Sequence, residues 1–380
     1  MICIQNSTLI LPDHYVRNGT VILDGNRITY CGEHCDTPAG AREIDGTGLF
    51  TGPGLIDIHV HSGGPALFRK DCPSAARFHL EHGATAVLPT LYFKLSQQEM
   101  ADAIRYLRGY IGSEEAPNVR GIYVEGPYMN PEFGASKKDI KWRDEILREE
   151  YMPVLEAAQQ DVKVWGLAPE REHIEDFCID AKKINPDVVF SVAHCAASPE
   201  RIAALFPYGL KLSTHHTNAT GDGEHWPECR GVCVDEAVNF YDRIYAEVIS
   251  DEYGIHVKPF MQRLIRRIKG RERVILITDN CGTQGTGPAL PGLEHVTDIL
   301  FDSGGDIAGS KLTIDAACRN FMTHTGASLC DVFYYASYNP AQLLGWTTKG
   351  ELRVGGDADV VVVDHDMNVK NVICNGKIEK

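Results

Sequence analysis

Hydrophobic and polar positions follow three rhythms along the chain. Over residues 1–52 the apolar stretches are short, alternating and broken by turns: CIQNSTLIL, GTVILDGNRITYCG and AREIDGTGLFTGPG. Strict alternation of this kind predicts half-buried β-strands. The pair Asp24-Gly25 between VIL and RITY marks a hairpin, because Gly supplies the positive φ a tight turn demands. This segment is a β module, too small for a convincing independent domain.

From Leu55 the rhythm changes to short apolar strands alternating with helix-length amphipathic stretches. LIDIHV precedes a helix near 73–82, TAVLPT precedes SQQEMADAIRYLRGYI, and GIYVEG precedes a helix near 144–160. VKVWGLAPE leads into HIEDFCIDAKKI, and VVFSVAH into SPERIAALF. LKLSTHH follows, then AEVIS with PFMQRLIRRIK, then VILITDN with a helix near 313–325. About eight βα units in one run of this length argue a parallel (β/α)8 barrel of the TIM type. After Asn339-Pro340 the chain returns to strand, with Asp359–Asp364 (DVVVVD) reading as a buried one. The economical arrangement pairs both ends of the chain into one small β-sandwich. The expected division is therefore 1–52 plus 351–380 for the sandwich and 53–350 for the barrel. The mixed-charge run KKDIKWRDEILREE is read as a solvated helix face.

Composition narrows the function. The chain has 380 residues, 43% hydrophobic and 23% charged, so it is long enough for a large core and excludes disordered or fibrous classes. With 37 Lys+Arg against 52 Asp+Glu, the net charge of −15 disfavours nucleic acid or an anionic membrane as partner. No run of eighteen apolar residues predicts a membrane span. The start, MICIQNSTLILPDHYV, lacks the basic region of a secretory signal. The twelve cysteines are scattered without a CxxC pair, so reduced thiols and a cytoplasmic location are expected.

Functional groups in a parallel barrel sit at the C-terminal ends of its strands. Here the first strand ends in His59-Val60-His61, the third in Glu125, the fifth in His194, the sixth in His215 and the eighth in Asp279. Residues i and i+2 of a strand share a face, so His59 and His61 can converge on one ion. Imidazoles and carboxylates recurring at one rim are the donor set of a divalent metal. Any one of these histidines alone reads more simply as a hydrogen-bonded core residue. Together, in chain order, they point to a metal-dependent hydrolytic barrel. Three further features are set aside on their chemistry. The glycine-rich run Gly282–Gly287 lacks a Walker lysine and reads as a loop after the eighth strand. Cys281 has no partner base beyond the metal residues and reads as a passive thiol. His216 faces away from His215 if the strand persists, which favours packing or substrate contact.

The segment TGPGLIDIHVHSGG resembles the first-strand signature of the amidohydrolase superfamily. EGPYMNPEFGA, LAPE, AHCAAS, THHTNAT, ITDN and LTIDAACRNF resemble the N-acetylglucosamine-6-phosphate deacetylases, in matching order along nearly the whole chain. The resemblance implies that Glu125, His194 and His215 bind one metal and that Asp279 is the general acid/base. His59 and His61 match the position that gives some members a second ion, with Glu125 bridging. Asn218, Ala219 and His256 match substrate-contacting positions, and Arg230 approximates a phosphate-binding arginine. Two departures stand out: Ser136 replaces a sugar-contacting histidine, and GDGEHWPECRGV replaces the arginine segment. The implied activity is removal of the N-acetyl group from an amino sugar, with N-acetylglucosamine 6-phosphate as substrate. It would use one or two divalent ions (zinc foremost, otherwise iron, manganese or cobalt) in a cytoplasmic homodimer. The alternatives are hydrolysis of another amide (N-acetylgalactosamine 6-phosphate, an unphosphorylated sugar, an N-acyl amino acid or a cyclic amide) or a non-catalytic barrel used for binding.

Overall fold

The computed structural model describes residues 1–135, 137–221, 225–282 and 287–380. Eight parallel strands form the central sheet: Leu55–Val60, Ala84–Tyr92, Ile122–Glu125, Val162–Leu167, Val189–Val192, Leu210–Ser213, Tyr245–Ile249 and Val274–Ile277. The eighth strand returns to the first through the Val60–Asn280 bridge and the bond from the Asp279 backbone N–H to His59 O, 3.0 Å. The sheet thus closes as the expected barrel.

The apolar residues of each strand divide by parity. Leu88, Tyr123, Val164, Val189, Leu212 and Ile275 fill the barrel interior. Val87, Val124, Trp165, Phe190, Val248 and Leu276 join the larger core under the helices. That second layer is laid down by helices with clear local signals. Gln97–Arg108 opens on a capping box: Ser96 Oγ accepts from the Glu99 backbone N–H, and Glu99 accepts from the Ser96 backbone N–H. Its buried face is Met100, Ala101, Ile104 and Leu107, a helical repeat.

The two ends of the chain meet in one mixed sheet. Val360–Val363 runs antiparallel between Phe50–Pro53 from the start of the chain and Val369–Cys374 from its end. Ile2–Ile10 continues the sheet beyond Phe50–Pro53, followed by Tyr15–Asp24 and Arg27–Gly32. Alternation in DVVVVD decides the packing: Val360 and Val362 face the module's own core with Ile4, Leu9 and Val21, whereas Val361 and Val363 pack toward the barrel. The hairpin at Asp24-Gly25 forms as expected, with Gly25 at φ +55°.

Three expectations need correcting. Most of KKDIKWRDEILREE is not a helix: the α-helix begins only at Arg148, and Ile140, Trp142 and Ile146 are buried from the segment before it. Apolar anchors spaced irregularly among charges seat a loop, so the charge run is a poor guide to a helix here. A helix at Val234–Phe240 follows the sixth strand, where the sequence pattern suggests none. An antiparallel hairpin, Ile299–Phe301 with Ile307–Ser310, lies between the eighth strand and its helix Ile314–Thr325. Among the described residues, no helix is long and apolar enough to cross a membrane.

Candidate metal centre

Six side chains from five strand ends converge at the C-terminal mouth of the barrel. His194 Nε2 lies 2.6 Å from Glu125 Oε1, His215 Nε2 lies 3.0 Å from the same oxygen, and the two imidazole nitrogens are 3.1 Å apart. Ligands bound at about 2.0–2.1 Å in a tetrahedral site sit roughly 3.3 Å from one another, and these three atoms lie somewhat closer, near enough together that they could hold a metal ion. The other carboxylate oxygen, Glu125 Oε2, lies 3.6 Å from His61 Nε2. Asp279 Oδ1 is 3.2 Å from His61 Nε2 and 3.6 Å from His59 Nε2. Glu125 therefore divides its two oxygens between two groups, His194 with His215 on one side and the His59–His61 pair on the other.

Local backbone geometry aims these groups. Ser191 and Thr214 point into the barrel, where their hydroxyls lie 2.6 Å apart and Thr214 also meets Tyr123 OH. By parity His215, next to Thr214, would point outward toward the helices. Positive φ values at His194 (+42°) and His215 (+28°) turn both side chains into the mouth instead, and Asp279 has φ +48°. Such backbone costs of order 1–3 kcal/mol per residue when the side chain has a Cβ, and it recurs at functional sites. Asp57, buried in strand one, accepts from Thr278 Oγ1 at 2.6 Å and from the His59 backbone N–H, tying the first strand to the eighth beneath the site. Burial pushes its carboxyl up to about 7.

The outer nitrogens of His59 and His61 fix those two imidazoles at the centre. His61 Nδ1 donates to the Thr90 carbonyl at 3.0 Å, which leaves Nε2 free to act as a donor atom. His59 Nδ1 meets Glu247 Oε2 at 3.0 Å, and the His59 Nε2 atom is buried without a hydrogen-bond partner among the described residues. Burial would lower the His59 imidazole, but the Glu247 carboxylate more than reverses this and raises it to about 10. Burial likewise opposes ionisation of Glu125 and Asp279. The neighbouring imidazoles, His194 first for Glu125 and His61 first for Asp279, nonetheless hold both carboxyls below their usual range. Buried Glu125 and Glu247 and the half-buried Asp279, set among four imidazoles, call for compensating positive charge. A cation at Glu125 with His194 and His215, or at Glu125 with His59 and His61, would supply it, so the residues present fit a divalent metal.

A cavity of about 510 Å³ opens over this cluster. Asn218, Ala219 and His256 are among the residues that line it. His256 Nδ1 lies 3.3 Å from buried Asp251, and its Nε2 has no hydrogen-bond partner among the described residues. Arg230 is not among the described residues that line the cavity: it is exposed and its guanidinium pairs with Glu236 on the helix Val234–Phe240. Ser136 and most of the glycine-rich run (283–286) lie outside the described residues, as do 222–224. His216 is packed away behind the site against Asn239 Oδ1 at 3.2 Å, and burial lowers it to about 4. Burial, reinforced by Asp279, pushes the Cys281 thiol well up, in keeping with a passive thiol. The twelve cysteines are all free.

Sequence reasoning misses Glu247, Lys94 and the hairpin. Lys94 lines the cavity, with its ammonium 5.7 Å from the Tyr92 ring centroid. The hairpin seats the Asp279 segment through the bond from Ser310 N–H to Asp279 O, 2.9 Å, and contributes Ile307, Ala308 and Gly309 to the cavity wall. Gly134 is pressed onto His194: a Cβ there would stand 2.2 Å from His194 Nδ1, and φ is +92°. Gly134→Ala is expected to push the His194 ring out of line, lowering both metal content and turnover while the fold persists. Unchanged metal content in the purified variant would contradict this contact.

The barrel carries a cluster that could hold a metal ion at its mouth, and the chain belongs to the amidohydrolase family, which matches residues 51–378. Its relatives are more particular. It is 27% identical to N-acetylglucosamine-6-phosphate deacetylase of Lysinibacillus sphaericus over 394 residues, covering 99% of this chain and 97% of the relative. It is 30% identical to N-acetylgalactosamine-6-phosphate deacetylase of Escherichia coli O157:H7, with 86% of each chain covered. A solved structure of a mutant N-acetyl-D-glucosamine-6-phosphate deacetylase from Mycobacterium smegmatis, in complex with N-acetyl-D-glucosamine-6-phosphate, superposes with a TM-score of 0.84 at 25% identity. That match covers 100% of this chain and 99% of the other.

Proposed function

We propose that this amidohydrolase removes the N-acetyl group from an amino sugar 6-phosphate, N-acetylglucosamine 6-phosphate foremost, releasing acetate and the free amine. The observation that carries the reading is the bipartite cluster in which Glu125 joins His194 and His215 to the His59–His61 pair, with Asp279 alongside. Glu125, His194 and His215 would hold one divalent ion, and His59 and His61 with Glu125, beside Asp279, would give the site for a second. Zinc is the proposed ion, with iron, manganese or cobalt as substitutes the same donors accept. When bound, such an ion acidifies water and polarises an amide carbonyl.

The chain's own groups then move the proton. Asp279, kept ionised by the imidazoles around it, takes a proton from the attacking water. It returns that proton to the amide nitrogen as the C–N bond breaks, because an amine anion is too poor a leaving group. Asn218 and Ala219 orient the acetamide and sugar at one wall of the cavity, and His256, held by Asp251, faces the substrate from another. Lys94 and Lys137, which also line the cavity, bring positive charge for the phosphate in place of Arg230.

The Asp302 and Asp306 carboxylates at the same cavity favour a second reading, an unphosphorylated amino sugar. Acetate release from N-acetylglucosamine 6-phosphate, its galactosamine epimer and the two unphosphorylated sugars separates them. Turnover confined to a 6-phosphate is expected. Equal or faster turnover of unphosphorylated sugar selects the second reading, and silence on all four with metal bound removes the substrate class. A cytoplasmic homodimer completes the proposal. Trp226 (70% exposed), Phe240 (80%) and Phe260 (70%) are the large apolar side chains that pairing could cover, and light scattering distinguishes one chain from two.

A further inference from the structure

Glu247 lies in the middle of the seventh barrel strand, Tyr245–Ile249, and is 0% exposed. Its neighbours Ala246 and Val248 pack outward into the main core, so alternation turns the Glu247 side chain inward beneath the metal centre. One oxygen, Oε2, does two things: it lies 3.0 Å from His59 Nδ1 and accepts the His215 backbone N–H at 3.0 Å. The other, Oε1, is buried with no hydrogen-bond partner among the described residues. A carboxylate so enclosed is costly unless something nearby rewards it. Here it touches one residue from each half of the cluster that Glu125 divides.

We propose that Glu247 is the positioning residue of the metal centre, orienting the His59 ring from behind while anchoring the backbone of His215. The inference rests on the reading of this cluster as a metal site. A carboxylate on Nδ1 fixes the tautomer that presents Nε2 as an electron-pair donor, and it makes that nitrogen a stronger donor. His59 Nε2 is the atom left without a hydrogen-bond partner on the side of Asp279. Bonding the same oxygen to the His215 N–H ties the sixth strand end, with its left-handed turn, to the first strand. Glu247 thus holds the two ligand groups at one spacing without touching substrate.

The test is Zn²⁺ affinity and stoichiometry, read by competition with a chromophoric chelator. Loss of such an outer partner weakens metal binding about 10–100-fold. Glu247→Gln keeps an acceptor oxygen but not the charge and is expected near the lower end, roughly 10-fold. Glu247→Ala removes both and is expected near the upper end, about 100-fold, so Gln acts as partial rescue. In a His59→Ala background the Gln substitution should cost little more. Melting of the metal-free variants controls for folding. Wild-type affinity in both variants overturns the proposal, and so does an undiminished penalty in the His59→Ala background. Wild-type protein that binds no Zn²⁺ at all would instead remove the metal reading beneath it.

Discussion

Asp279→Asn is expected to fold and to keep an ion at Glu125, His194 and His215, yet to lose about 10²–10⁴-fold in kcat. The substitution preserves the size and one oxygen of the side chain but removes the group that can carry a proton. Asp279 lies within 3.2 Å of His61 Nε2 and 3.6 Å of His59 Nε2, whereas the Glu125 triad makes its contacts without it. Its left-handed backbone, and the bonds its N–H and C=O make to His59 O and Ser310 N–H, depend on the main chain and persist in the variant. Steady-state kinetics beside metal analysis checks the claim. Near-wild-type kcat would remove Asp279 from its proton-transfer role.

Glu125→Gln is expected to be at least as damaging, by a different route. Both carboxylate oxygens are committed: Oε1 to His194 and His215, and Oε2 toward His61. An amide presents one oxygen and one N–H₂, so it cannot face both groups as an acceptor, and it withdraws the negative charge that a cation needs. Metal content should fall, with turnover falling beside it. Elemental analysis of the purified variant reads the first directly. Full occupancy would show that Glu125 is not a ligand.

Much of this site is legible in the sequence. The strand ends His59-Val60-His61, Glu125, His194, His215 and Asp279 can be read because apolar strands of a parallel barrel announce their own termini, and the chemistry follows immediately after. The i, i+2 rule brings His59 and His61 together, and their rings do lie 5.3 Å apart. The same rule says nothing about His194 or His215, whose inward aim comes from left-handed backbone just past the strands. Glu247 is easy to pass over because AEVIS reads as one more barrel strand. A lone acid in an apolar strand is the signal the sequence offers.

Arg230 matches a phosphate-binding arginine by resemblance alone, and within one chain its guanidinium pairs with Glu236 of the helix Val234–Phe240. That pairing depends on where a loop turns, which residue types alone do not specify. The hairpin Ile299–Phe301 with Ile307–Ser310 is hidden for a similar reason: strands of three and four residues leave too short a pattern to count. Cavity residues from loops, such as Lys94 and Lys137, are recognised only when the barrel brings them to one mouth.

The central claim is that the clustered imidazoles and carboxylates serve a metal-dependent deacetylation. The most direct measurement is acetate release from N-acetylglucosamine 6-phosphate by one preparation as purified, after chelation, and during titration with Zn²⁺. The account predicts turnover that disappears with the metal and returns as it is restored, saturating at one or two ions per chain. Turnover indifferent to metal removal, or a fully loaded enzyme that releases no acetate, would contradict it.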